Sequence, residues 1–522
     1  MITHCNTKPI PFKNQNFHAI KNDCITTGRL FHDDQFFWSR DIKNKYKLLR
    51  PSEIFKNPKF FVNGHCRFDT NQGRLGNCWF IAALGNLAMH PKLFAKVVCE
   101  DNGDFDEERY CGVFHFRFWQ QGTWVDVVID DVLPTYNGSL VFMKSSEKNE
   151  FWSALIEKAY AKLYGGYENL EGGFCAFALT DFTGGVSESY DLNVPKLNLF
   201  EMMLKSFNRK ALMNCDILSP SKSAFGLVSG HAYAITNVTT ITTKNYINVQ
   251  LIRVRNPWGS SAEWEGNWSD NSKCWDNVSE TEKAKVDYMK KGNGEFYISF
   301  SDFLKHFDIL EICNVTADLI DHDPRADREW RMMSFTGQVN NSFHKFELID
   351  PDEDDDEDFC TVVIALMHLR EERTEFKRIG FIVLSEDGKV VGSEQYKRRL
   401  REITVRYNLK PGKYSIQANG EQNLKYLIRI FYEILKNKKE SKSVSVQKET
   451  FERFTVVTVP NITIPSEANN RNALQSVPRN VQRRSRRGFT FKEFFLDLCF
   501  CLFLAFVIYS LLIFIYILFK YK

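Results

Sequence analysis

The chain of 522 residues contains no Cys-x-x-Cys pair; its thirteen cysteines (5, 24, 66, 78, 99, 111, 175, 215, 274, 313, 360, 499 and 501) are scattered without regular spacing. That scatter argues against a zinc ribbon and against a secreted disulfide framework, and it fits a reducing compartment. A dominant charge is missing too. The 68 basic and 65 acidic residues leave a formal net charge of +3, so nothing global points to a nucleic-acid partner. The opening stretch "MITHCNTKPIPFKNQNFHAIKND" lacks the apolar core of a secretory signal. After residue 436 there is no D-x-D-x-D-G loop of the kind that binds calcium in an EF-hand.

What is present divides the chain into about three domains plus tails, as its length suggests. Residues 30–320 mix helical and alternating patterns, as an α+β enzyme domain would. Within them "FWSALIEKAYAKLYG" predicts an amphipathic helix, and "VFHFRFWQQGTWVDVVIDDVLP" predicts a strand pair around the turn "QQGT". Residues 325–436 break into short alternating segments such as "FCTVVIALMHL", "RIGFIVLS" and "EITVRYNL", which predict a β-sandwich. Residues 437–490 have little periodicity and read as a flexible linker. Residues 498–519 then run for 22 positions without a charge, enough to cross a hydrocarbon core of about 30 Å as a helix. Four arginines in "RRSRR" at 483–487 hold the N-terminal flank on the cytosolic side, and only "KYK" follows the run. The expected arrangement is a single-pass, tail-anchored membrane protein with its catalytic domains in the cytoplasm.

The stretch "QGRLGNCWF" places Cys78 immediately before the apolar run "IAALGNLAMH". A helix beginning there would direct unpaired N–H groups and its positive dipole end at the sulfur, which favours a thiolate. On that stretch alone a buried structural thiol is the commoner fate of such a cysteine. Two downstream signals bear on the choice. "SGHAYAIT" puts His231 at the head of an alternating apolar segment, and "LIRVRNPWG" ends a strand at Asn256, whose side-chain oxygen could fix the tautomer of an imidazole.

With these signals the chain resembles the calpain family of papain-like, calcium-regulated cysteine proteases over about residues 30–436. The resemblance is carried by "LFHDDQF", "RPSEIF", "QGRLGNCWFIAAL", "NEFWSALIEKAYAKLYGGYENLEGG", "DFTGG", "GHAYAIT", "RVRNPWG", "EWEGNWSD" and "GEFYISFSDFL". It implies a two-subdomain protease core (30–185 and 186–322) and a calpain-type β-sandwich (325–436); the N-terminal segment (1–29), the linker (437–490) and the anchor (491–522) rest on composition alone. By resemblance Cys78 is the nucleophile, His231 the general base and later acid, Asn256 the orienting residue and Gln72 a donor to the oxyanion. Trp258 is the tryptophan beside the triad.

The family's core binds two Ca2+ ions. The matching ligands are Val62, Gly64, Asp69 and Glu150 for one site, and Glu263, Asp270, Lys291, Asn293 and Glu295 for the other, oxygen donors as a hard cation requires. Arg67 and Glu295 match a salt bridge between the two halves. The resemblance further implies protein substrates and, because the penta-EF-hand domain has no counterpart here, no small calcium-binding subunit. Three departures stand out. Asn293 replaces an aspartate, which predicts a weaker second site. Asn77 replaces the aspartate that usually precedes the nucleophile, removing a charge that disfavours the thiolate. The membrane segment takes the place of the EF-hand domain. The acidic run "DPDEDDDEDFC" at 350–360 matches the family's acidic loop, a candidate calcium sensor. The expected activity is limited proteolysis by a calcium-dependent cysteine endopeptidase near a membrane. The alternative is an inert, membrane-tethered calcium-sensing scaffold.

Overall fold

The computed structural model describes residues 8–435 apart from 107, 260, 261, 289, 291, 321–327, 340–342, 352–357, 370–376, 396–400 and 422. The expected linker, the 498–519 segment and most of the acidic loop therefore lie outside the described residues. Among the described residues no helix is long and apolar enough to cross a membrane.

The first half is built on three buried helices. Helix α1 (Cys78–Leu87) is a run of Ala, Leu, Ile and aromatic residues in which every side chain from Trp79 to Leu87 is buried. Such a run is enclosed by other elements rather than laid on a surface. Packed nearby are the hairpin strands β1 (Val113–Gln120) and β2 (Thr123–Asp130), paired antiparallel from Val113↔Asp130 to Gln120↔Thr123. Their two-residue turn has positive φ at both Gln121 and Gly122, the backbone that a tight hairpin requires.

Helix α2 (Trp152–Tyr164) differs from the amphipathic expectation, since all thirteen of its residues are buried. Its charges are satisfied inside. Lys162 Nζ lies 2.5 Å from Asp33 Oδ2 and 2.6 Å from the Val128 carbonyl, and Lys158 pairs with Asp130. The apolar periodicity was real, but ion pairs within the core replace the solvated face. Helix α3 (Cys175–Thr183) completes the half.

The second half is a six-stranded antiparallel sheet of β3 (Val186–Asp191), β4 (Leu212–Ile217), β5 (His231–Thr242), β6 (Asn248–Arg255), β7 (Glu295–Ser299) and β8 (Ile309–Asn314). Their order across the sheet is β7-β6-β5-β4-β8-β3. The strands that head or end at His231 and Asn256 are thus central neighbours.

The expected sandwich is present as two four-stranded antiparallel sheets. One orders β9 (Arg328–Gln338), β16 (Lys425–Leu435), β11 (Cys360–His368) and β14 (Glu402–Leu409). The other orders β10 (His344–Leu348), β15 (Gly412–Gly420), β12 (Ile379–Ser385) and β13 (Val390–Gln395). Alternating residues such as Val362, Ile364 and Leu366 meet Phe381, Val383 and Ile416 in the space between. Arginines join this sandwich to the core. Arg406 holds Glu188 by two bonds of 2.9 and 2.6 Å, Arg401 reaches Asp181 at 2.5 Å, and Arg429 donates to the carbonyls of Gly184 and Gly185 at 2.6 and 2.7 Å.

Candidate active site

Cys78 is the first residue of α1 and lies where the two halves meet. Burial, with the charge of Asp216 adding to it, pushes its thiol up to about 11, against the opposing effect of the nearby backbone N–H groups of Ala232, Trp79 and Cys78. Ala232 follows His231 directly, so the strand that delivers the imidazole also touches the sulfur. No hydrogen bond joins Cys78 Sγ to His231 among the described residues.

His231 and Asn256 come together because β5 and β6 are paired neighbours, with Arg255 opposite Ala234. His231 Nε2 lies 2.8 Å from Asn256 Oδ1. The Asn256 amide is fixed in turn, because its Nδ2 donates to the Ala262 carbonyl at 2.8 Å and its Oδ1 also accepts from Trp258 N–H at 2.9 Å. That assignment makes Oδ1 an acceptor, so Nε2 carries the proton and Nδ1 keeps its lone pair. Burial lowers the imidazole to about 4, with the Asn256 bond opposing. The Trp258 ring, 41 % exposed, stands 4.6 Å from the imidazole. Gln72 binds both halves: its N–H donates to the Pro257 carbonyl at 2.8 Å, and its side-chain Nε2 donates to the Leu75 carbonyl at 2.7 Å. One side-chain N–H is therefore committed locally and the second remains for another acceptor.

Across the seam Arg67 grips Glu295 with two bonds of 2.8 Å, Nε to Oε1 and Nη2 to Oε2. The planar fork matches the carboxylate and fixes orientation as well as distance. Glu295 Oε1 also accepts from Thr236 Oγ1 at 2.7 Å, so this carboxylate is already saturated on one oxygen.

Of the residues expected around the first cation, Val62 and Glu150 are bonded directly and the charge of Asp69 reaches Glu150. Asp69 and Glu150 are both buried, and burial, with the charge of Asp69 adding to it, pushes Glu150 up to about 7. Their partners are neutral donors: Val62 N–H and Ser145 Oγ on Glu150, and the N–H of Cys66 on Asp69. Buried carboxylates whose bonded partners are all uncharged fit a hard divalent ion. The Val62 segment turns through Asn63 and Gly64, both at positive φ. In the second region Glu263 accepts from Gly294 N–H, Gly292 N–H approaches Asp270 Oδ2 at 3.5 Å, and Asn293 Oδ1 accepts from Glu295 N–H at 3.0 Å. Burial and the Asp270 charge raise Glu263. These oxygens also suit calcium, with Glu295 shared with Arg67; Lys291 lies outside the described residues.

Asn77 has a role that its sequence context did not reveal. It is fully buried and its Nδ2 donates to Glu157 Oε1 at 2.7 Å, while Glu157 Oε2 accepts from Met143 N–H at 2.9 Å. Its effect is thus on a buried acid of α2, not simply the loss of a charge beside the sulfur. Sequence also gave no warning of Asp216, Glu311 and Cys175, which gather near Cys78 from three elements distant in sequence.

Comparison with known proteins agrees with this geometry. A profile described as calpain family cysteine protease matches residues 12–314, and one described as calpain large subunit, domain III, matches residues 332–431. Calpain-A of Drosophila melanogaster is 40% identical over 485 residues, covering 82% of this chain and 58% of its own length. Calpain-B of the same organism is 38% identical over 485 residues, covering 82% and 52%. The calpain-1 catalytic subunit of Gallus gallus is 37% identical over 489 residues, covering 81% and 68%. The chain thus spans little more than half the length of the two Drosophila relatives. A protease match that runs through both halves of the cleft and is followed by a matched sandwich leaves one conclusion: this chain belongs to the calpain family.

Proposed function

We propose that the chain is a calcium-dependent cysteine endopeptidase that performs limited proteolysis of intracellular proteins near a membrane. The observation that carries this reading is the His231–Asn256 bond of 2.8 Å, set beside a cysteine that opens a helix. In the reaction Cys78 Sγ attacks the scissile carbonyl carbon while its proton passes to His231 Nδ1. Asn256 holds the resulting imidazolium. The oxyanion takes the Cys78 N–H and the second N–H of Gln72 Nε2. Collapse expels the amine, which carries off the proton from His231, and leaves a thioester. Water then attacks it, giving a proton to His231, and the thiol is regenerated.

Calcium at Val62, Gly64, Asp69 and Glu150, and at Glu263, Asp270, Lys291, Asn293 and Glu295, would supply positive charge that holds these acids ionised and their segments together. Residues 498–519 would span the membrane, with the preceding domains in the cytosol. The support is the uncharged run and its arginine flank. Two measurements test the reading. Cys78→Ala should abolish calcium-dependent peptide hydrolysis and epoxide labelling with little change in Tm; retained hydrolysis removes Cys78 from the reaction. In sealed vesicles an N-terminal epitope should be digested by added protease and one following residue 522 should survive; digestion of both removes the span.

A further inference from the structure

The hairpin of β1 and β2 turns its phenylalanines, Phe114, Phe116 and Phe118, into the core. Its opposite face carries a different set. Asp126 stands directly across from Arg117, and His115, two residues before Arg117, leaves that same face beside it. His115 is buried, and its backbone is clasped by Asn102: its N–H donates to Asn102 Oδ1 at 2.7 Å, and Asn102 Nδ2 donates to its carbonyl at 2.9 Å. The ring stacks on Phe17 with centroids 3.7 Å apart. Its Nδ1 lies 2.7 Å from Asp126 Oδ1 and its Nε2 lies 2.8 Å from Asp101 Oδ1. The imidazole is thus fixed in place with a carboxylate on each nitrogen.

Cys99 completes the group. It lies two residues past the helix Pro91–Val97 and is buried; its sulfur, an imidazole nitrogen of His115 and a carboxylate oxygen of Asp126 lie within 4.8 Å of one another. The thiol makes a long bond of 3.8 Å to the Val97 carbonyl. An imidazolium held between two acids accounts for Asp101 and Asp126, but not for a buried sulfur within reach of the same ring and acid. Sulfur, nitrogen and oxygen at one point are the donors of a borderline-soft ion, unlike the oxygen groups that suit calcium. The charges allow it. Asp101 and Asp126 are met by the His115 imidazolium and by Arg117, whose Nε is 3.6 Å from Asp126 Oδ1. A divalent ion that displaces the Nδ1 proton and the thiol proton leaves the net charge of the group unchanged.

We infer that Cys99 Sγ, His115 Nδ1 and a carboxylate oxygen of Asp126 bind a Zn2+ ion, with water as the fourth ligand. Asp101 then accepts from Nε2–H, as the outer carboxylate that fixes the tautomer and orientation of a metal-bound histidine. Nδ1 and Asp126 Oδ1, a hydrogen bond apart, must separate by roughly half an ångström to reach bonds of about 2.1 Å to one ion. Solvent has a way in, because the side chain of Asp126 is 14% exposed and that of Asp101 43%. The ion ties the stretch after residue 97 to both strands of the hairpin. None of its ligands belongs to the catalytic group or to the residues expected to hold calcium, so its effect falls on the stability of this half and not on the chemistry of the cleft.

The test uses the full chain carrying Cys78→Ala, so that the nucleophile cannot take the metal, stripped with a chelator and returned to saturating calcium. Zn2+ is titrated in competition with a chromophoric chelator, and Co2+ in its place reports the ligands by absorption. Expected are one bound equivalent of zinc, a thiolate-to-cobalt charge-transfer band that Zn2+ abolishes, and a Tm several degrees higher with zinc than without. Cys99→Ser and Asp126→Asn, each added to that chain, should weaken zinc binding at least tenfold and erase most of the rise in Tm, the first with loss of the band; melting without metal shows that each has folded. Less than one equivalent in the parent chain, or no thiolate band, overturns the site. So does a band that survives Cys99→Ser, which places the metal on another cysteine. Because the parent chain alone can fail the test, misfolding of a variant does not protect the inference.

Discussion

Glu157 is a buried acid one contact removed from the residue before the nucleophile, and its partners are two neutral donors, Asn77 Nδ2 and Met143 N–H. Burial pushes its carboxyl up to about 7, above the ordinary value of 4.5 that it regains on unfolding. The folded state therefore binds the extra proton between those values, and stability from this group rises as pH falls from 7 toward 4.5. Above pH 7 the buried carboxylate must ionise at a cost of the order of 1–3 kcal/mol. Glu157→Gln removes that cost and the amide of Asn77 can turn to offer its Oδ1, which is buried without a partner, to the new amide. We expect a Tm several degrees higher than the parent at pH 8 and an equal one near pH 4.5, read by thermal melts across that range. Asn256 offers a second test. Asn256→Ala removes the acceptor that orients His231 and should lower kcat at least tenfold with little change in KM, as measured with one peptide at saturating calcium.

Among the bonds that tie the elements on either side of the cleft, the Arg67–Glu295 pair is the doubly bonded ion pair. Arg67→Ala leaves Glu295 buried beside Thr236 without its main cation, and it should lower the maximal rate and move half-maximal activation to higher calcium. A calcium titration of peptide hydrolysis reads both. Asn293→Asp keeps the acceptor for Glu295 N–H and adds a negative charge, so the same titration should move to lower calcium. Much of this was legible in the sequence. The "QQGT" hairpin, the strands of the sandwich and the order of Cys78, His231 and Asn256 are signalled by local pattern or by motif, and the structure brings the last two into contact. The Arg67–Glu295 bridge was legible only through resemblance, because 228 residues separate its partners. What sequence could not provide was burial around the charges. The Lys and Glu residues of α2 look like a solvated face until the helix is seen to be enclosed, and Asp216, Glu311 and Cys175 carry no shared motif because the sheet and α3 bring them together from distant positions.

The protease core and the sandwich share a seam made of arginines rather than of apolar side chains alone. Arg429 is fully buried, stands 4.4 Å over the Trp119 ring, donates to two core carbonyls and pairs with Glu402. Its replacement by Met would strand Glu402 and both carbonyls, so a loss of about 3–5 kcal/mol is expected. Because strands on both sides of the seam depend on it, the loss should appear in chemical denaturation as an earlier transition of core and sandwich together, not of the sandwich alone. The proposed mechanism divides its reacting groups between the two halves, which bears on timing during synthesis. At the usual 5–20 residues per second, His231 and Asn256 leave the ribosome roughly ten to forty seconds after Cys78. On the proposed mechanism, a nascent chain that has exposed only its first half holds a thiol with no base to activate it.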